Sequence, residues 1–98
     1  MTLNLQTILE SVADEQSFLQ FVRALAEDWE DEQESERAKP SSPYGPGANG
    51  WENVTVGAYL DAAVRWGEAS INGLAVYEKP ANPWKRAAQI LYMGKLYE

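Results

Sequence analysis

Between Lys39 and Val54 the sequence places three Pro and three Gly, and this stretch decides what the chain can fold into. Pro40, Pro43 and Pro46 each fix φ and lack a backbone N–H, so neither a regular helix nor a central strand runs through them. The chain is therefore split into two parts, each built of short elements, joined by a long connection. Connections of more than about 12 residues are uncommon in compact domains unless functional or disordered. Tyr44 and Trp51 supply large surfaces for burial. They predict an ordered loop wrapped on the core, with Trp51 largely buried.

The flanking stretches carry helical periodicity. Leu5, Ile8, Leu9 and Val12 fall at i, i+3, i+4 and i+7, one face of a helix that Thr2 or Asn4 can cap. Asp14 is the expected cap of a second helix with the stripe Phe18, Phe21, Val22, Leu25 and Trp29. Past Trp29 no large apolar residue follows through Arg37, and Glu30/Glu34 and Glu32/Glu36 are like charges four apart. This end is expected to project into water or fray. Thr55 caps a third helix near 56–70, with Val56, Tyr59, Leu60, Ala63, Val64 and Gly67 on one face and Trp66 beside it. Asn82-Pro83 starts a fourth, whose stripe is Trp84, Ala87, Ala88, Ile90 and Leu91, with Gly94 as its stop. The predicted fold is all-α, one domain of about four helices over residues 1–98. Asn72-Gly73 before Leu74–Tyr77 keeps an α+β alternative with a small hairpin there.

Composition removes much chemistry. The chain has no Cys and no His. Thiol nucleophiles, imidazole bases, Ser-His-Asp triads, Cys/His zinc sites and disulfides are excluded. The net charge is −7, and residues 1–38 alone sum to −8 while residues 39–98 sum to +1. A direct grip on nucleic-acid phosphates is not expected of such a chain. No apolar run nears the roughly 20 residues that span a membrane, and the first five residues do not form a secretory signal. The expectation is a cytoplasmic protein with no membrane association and no cofactor.

Two segments are candidate sites. In the acidic run, Glu27, Asp28, Trp29, Asp31, Glu32 and Glu34 form a candidate partner-binding surface, with Trp29 as an apolar anchor at its edge. Carboxylates four apart, such as Glu27 with Asp31 and Asp28 with Glu32, have the oxygen chemistry for Mg²⁺ or Ca²⁺. Nothing nearby in sequence desolvates them, so a solvated helix face is the stronger reading. The second segment is the loop, where Tyr44, Asn49 and Trp51 are candidate recognition residues, although a structural clamp outranks that role. Pro46 removes a donor and no Gly-Lys-Ser/Thr follows, which argues against a phosphate cradle. Lys85 and Arg86 stand against the dipole at the start of the last helix, and are expected either to be solvated or to pair with second-helix carboxylates.

The run from Pro40 to Asn53, the phrase from Phe18 to Trp29, the Asn82-Pro83-Trp84 start and the Gly94-Lys95-Leu96-Tyr97-Glu98 ending resemble an uncharacterised bacterial domain family. The resemblance covers almost the whole chain and implies no activity, so no functional residue follows from it. It implies a small bacterial protein of the kind also carried by mobile elements such as integron cassettes. The residues rank three functions. First is an acidic protein-binding, adaptor or immunity-like inhibitor protein, steered to a basic partner by charge. Second is a self-associating structural domain. Third is an enzyme using carboxylates and a divalent cation.

Overall fold

A computed structural model describes residues 4–38 and 49–97. Among them the chain forms four helices: α1 (Leu5–Glu10), α2 (Glu15–Ala38), α3 (Val56–Ala69) and α4 (Pro83–Leu96). Each begins at a polar side chain that takes up backbone donors the first turn leaves unpaired. Asn4 Oδ1 accepts Gln6 N–H at 2.7 Å, and Thr55 Oγ1 accepts Ala58 N–H at 3.1 Å. Asn82 Oδ1 accepts the N–H of both Trp84 and Lys85, with Pro83 at the first helical position. At α2 the cap is reciprocal. Asp14 Oδ1 accepts Ser17 N–H at 2.8 Å, and Ser17 Oγ accepts Asp14 N–H at 3.0 Å. The Ser17 hydroxyl, and after it the Ser17 amide, hold the Asp14 carboxyl below its ordinary value.

α4 organises the rest. It packs against α1, α2 and α3, whereas α3 makes no close backbone approach to α1 or α2. Leu9, Val12, Phe21, Leu25, Trp51 and Ala88 are buried together. Phe21 meets Tyr92 edge-on at 6.4 Å, and Phe18 lies 5.5 Å from Trp84. Asn82 Nδ2 donates to Ala13 O at 2.8 Å, tying the start of α4 to the α1–α2 corner.

Several expectations are corrected. Past Trp29, α2 neither frays nor projects wholly into water: it stays helical through residues 30–38, and Glu32 is buried. α3 buries Ala62, Ala63 and Trp66, so it is rotated from the face expected, and Val56, Leu60 and Val64 point outward. Two alanines on the buried side let α3 and α4 come close, which larger side chains would prevent. Gly94 does not stop α4. It sits inside the helix, where a Cβ would meet Tyr59 Cε1 at 2.8 Å. Among the described residues there is no strand. Leu74 and Tyr77 exchange two backbone hydrogen bonds of 3.1 Å as an isolated bridge, so the reversal falls at Ala75-Val76 and not at Asn72-Gly73. Gly73 has φ +83°, a conformation open to glycine, and turns the chain out of α3.

Candidate functional site

The acidic run lies along the last three turns of α2, and residues 49–53 return across it. Asn49 Nδ2 donates to Asp28 O at 2.8 Å and to Asp31 Oδ2 at 3.0 Å. The backbone N–H groups of Asn49 and Trp51 both donate to Glu32 Oε1, at 3.0 and 3.1 Å. Trp51 Nε1 donates to Asp28 Oδ2 at 2.8 Å. Lys95, from the last turn of α4, donates to the same Asp28 oxygen at 2.8 Å, and its Nζ lies 5.5 Å from the centre of the Trp51 ring. Glu52 N–H donates to Lys95 O, and Asn53 Nδ2 donates to Gly94 O and Tyr97 O. The carboxylates of α2 are thus joined to residues 49–51 and to Lys95 by charge-assisted bonds, which are stronger than neutral ones, and residues 52–53 are joined to the end of α4 by neutral bonds to backbone carbonyls.

The candidate partner surface therefore divides. Glu27, Glu30, Asp31 and Glu34 are exposed, as a solvated face requires. Glu32 is 1% exposed and points inward, contrary to the expectation that nothing desolvates the run. Asp28 is largely covered and holds Trp51 and Lys95. Of the recognition-loop candidates, Trp51 is buried and works as a clamp, Asn49 is half-buried and bonded to α2, and Tyr44 lies outside the described residues. These bonds give the polar stretch of α2 from Asp28 to Glu32 an internal role.

The same bonds bear on cation chemistry. Asp28 and Glu32 stand four apart, but their oxygens face an indole N–H, two amide N–H groups and an ammonium. A divalent ion beside Lys95 would meet like charge. Among the described residues no three Asp or Glu side chains converge as metal ligands, and no helix is long and apolar enough to cross a membrane.

Arg86 departs from both roles expected of it. Its guanidinium donates to Gly67 O at 3.0 Å and Ser70 Oγ at 2.9 Å, and stacks over Trp66 at 5.2 Å. It thus lies at the C-terminal end of α3, where a cation is favoured, and not against α2. Tyr77 OH also accepts from Arg86 and itself donates to Gln89 Oε1.

Because α2 and α3 stand apart, a groove of about 350 Å³ opens between them. Trp51 and Tyr59 line it with Val22, Leu25 and Ala26 of α2, and Trp29, Glu30, Val54 and Val56 are among the residues at its sides. Trp29 is 37% exposed at its edge. Tyr59 OH donates to Leu91 O at 2.7 Å, and burial pushes this phenol up to about 12. The lining is apolar, and Glu30 lies on the side where Glu27 and Glu34 are also exposed. Sequence reasoning missed Lys95, Asn53 and Tyr59. Lys95 carried a signal, since Ala88, Leu91, Tyr92 and Lys95 continue the α4 stripe at i, i+3, i+4 and i+7. A cation on an apolar stripe implies a buried partner.

Residues 14–98 match the model of a family described as a family of unknown function (DUF7660). No curated protein and no solved structure matches the chain.

Proposed function

We propose that this chain, which belongs to that family of unknown function, is a single-domain cytoplasmic adaptor or immunity-like inhibitor that binds a basic protein partner. One observation carries the reading: an apolar groove with Trp29 and Glu30 at its edge, beside the acidic side of α2. A partner of this kind sets an apolar side chain against Trp29 and Val54 and brings Lys or Arg to Glu27, Glu30 and Glu34. Those three acids form no ion pair among the described residues, so they are free to meet an incoming cation. Asp31 adds to the field while holding Asn49. Such rim charges act mainly on association rate and are screened by salt.

The test is a peptide-display selection on the intact protein, followed by kinetics with the enriched peptides. The expected peptides combine an aromatic or Leu anchor with clustered Lys and Arg. Glu30→Lys with Glu34→Lys should slow their association and flatten its salt dependence at unchanged melting temperature. Trp29→Ala should speed their dissociation. Enrichment of uncharged or acidic peptides, or an unchanged rate and salt slope in the double variant, would sink the reading.

A further inference from the structure

On the outward side of α3, Val56 is 76% exposed, Leu60 53% and Val64 55%. They follow one another at i, i+4 and i+8, a continuous ridge along the helix. Folding does not require them, since α3 buries Ala62, Ala63 and Trp66 against its neighbours. Of the ten large hydrophobic residues exposed among the described residues, seven lie between Val54 and Val76. Single exposed apolar residues need no explanation, but one helix and its flanks holding most of them marks an interaction surface.

We infer that this ridge is a two-fold seam between two copies of the chain. The ridge reads the same in both directions: Val, three residues, Leu, three residues, Val. Two antiparallel α3 helices related by a two-fold axis at Leu60 set Leu60 against Leu60 of the second copy, and each Val56 against a Val64. A surface that is its own complement is what an isologous interface requires. Gly57, beside the ridge, has nothing within 4 Å of where its Cβ would stand, so a second helix meets no obstruction there.

Charge selects the same arrangement. Two molecules of net charge −7 repel one another, and the repulsion is least where their charge is least. Residues 1–38 sum to −8, whereas α3 carries only Asp61, Arg65 and Glu68, which sum to −1. Next to the ridge, Asp61 is neutralised by Arg65 at 3.0 Å. Around Leu60 and Val64, which lie outside the groove, a basic partner finds little charge to meet and a second copy loses little. Val56 borders the α2–α3 groove as well, so the test rests on Leu60, which does not line it.

The experiment has two arms. In sedimentation velocity over a concentration series, the wild type should pass from the mass of one chain to that of two, with little effect of added salt. Leu60→Asp with Val64→Asp should hold the mass of one chain throughout, with an unchanged helical circular dichroism spectrum. The chain lacks Cys, so Leu60→Cys introduces an isolated thiol. The axis brings two such thiols within the Cα separation of under about 7 Å that a disulfide spans. Oxidised Leu60→Cys should run as a covalent dimer. Leu19→Cys, on α2 and comparably exposed, should cross-link several-fold less. A single-chain mass for the wild type at every concentration, or equal cross-linking at the two positions, overturns the seam and leaves the ridge to a different apolar partner.

Discussion

Glu32 Oε1 accepts the backbone N–H of Trp51 at 3.1 Å across nineteen residues of sequence. The same oxygen accepts Asn49 N–H at 3.0 Å, so one buried carboxylate fixes the path of the returning chain. Removing it strands two amide donors, each costing about 1–3 kcal/mol when buried without a partner. Glu32→Ala should lower unfolding stability by about 2–4 kcal/mol, and Glu32→Gln, which keeps an acceptor oxygen, by about 1 kcal/mol. Urea denaturation measures both, and equal losses would mean that the two bonds do not matter.

Trp51 is buried and Trp29 lies at the groove edge. Trp51→Ala should therefore cost about 3–5 kcal/mol, the range for large aromatic truncations in cores. Truncating Trp29, which is 37% exposed, to Ala should cost less, about 1–2 kcal/mol. Matching losses in thermal unfolding would refute the division between clamp and anchor.

Lys95 and Asp28 form the ion pair that joins α4 to α2. Lys95→Met removes the cation and leaves a largely covered carboxylate with Trp51 Nε1 as its remaining donor. Partial exposure of Asp28 moderates the penalty for stranding it, to about 2 kcal/mol. In a double-mutant cycle with Asp28→Asn the two changes should couple by about 1 kcal/mol or more. Strict additivity would show that the pair contributes nothing.

Gly94 and Gly57 should respond in opposite directions to alanine. Both are helical, and alanine in a helix gains about 0.5–1 kcal/mol over glycine. At Gly57 the new methyl meets open space, and stability should rise by that amount in dilute solution. At Gly94 it meets the Tyr59 ring at 2.8 Å, and overpacking of about 1–3 kcal/mol outweighs the gain. A stabilised Gly94→Ala would disprove the close contact of α3 with α4.

The Tyr59 phenol ionises at about 12 in the folded chain, against an ordinary value of 10.0. Between those values the unfolded chain loses a proton that the folded chain keeps. Its contribution is therefore complete below pH 10 and is lost as pH rises toward 12. Tyr59→Phe should cost about 1 kcal/mol at neutral pH through the lost bond to Leu91 O, and should lose less stability than wild type over that alkaline range. Parallel pH profiles for the two proteins would contradict this.

Much of the fold was legible because helix boundaries are local chemistry. Asp14, Thr55 and Asn82 each announce a start, and the Phe18–Trp29 stripe has a single reading. The buried face of α3 was less legible. Its apolar residues lie on two sides, and size favours Val56, Leu60 and Val64 over Ala62 and Ala63. Which side is buried depends on how closely a neighbouring helix approaches, and that is decided by α4. The internal role of Asp28 and Glu32 was hidden for a related reason. A carboxylate in an acidic run looks solvated until the donors that reach it are known, and those donors come from Asn49, Trp51 and Lys95, far along the chain.

The central place of α4 sets the order in which the protein can assemble. Its bonds to the early chain span very long separations, 67 residues for Lys95 to Asp28 and 69 for Asn82 to Ala13. Helical proteins usually fold fast because their contacts are local, whereas here the ordering cost of a large loop precedes the reward. A chain still being synthesised and not yet past Pro83 holds an α1–α2 arm and α3 without the helix against which both pack. Pulse-labelled hydrogen exchange during refolding should find α3 amides protected together with those of α4 and never ahead of them. Cooperative structure in this protein is thus a late event, released when its fourth helix is made.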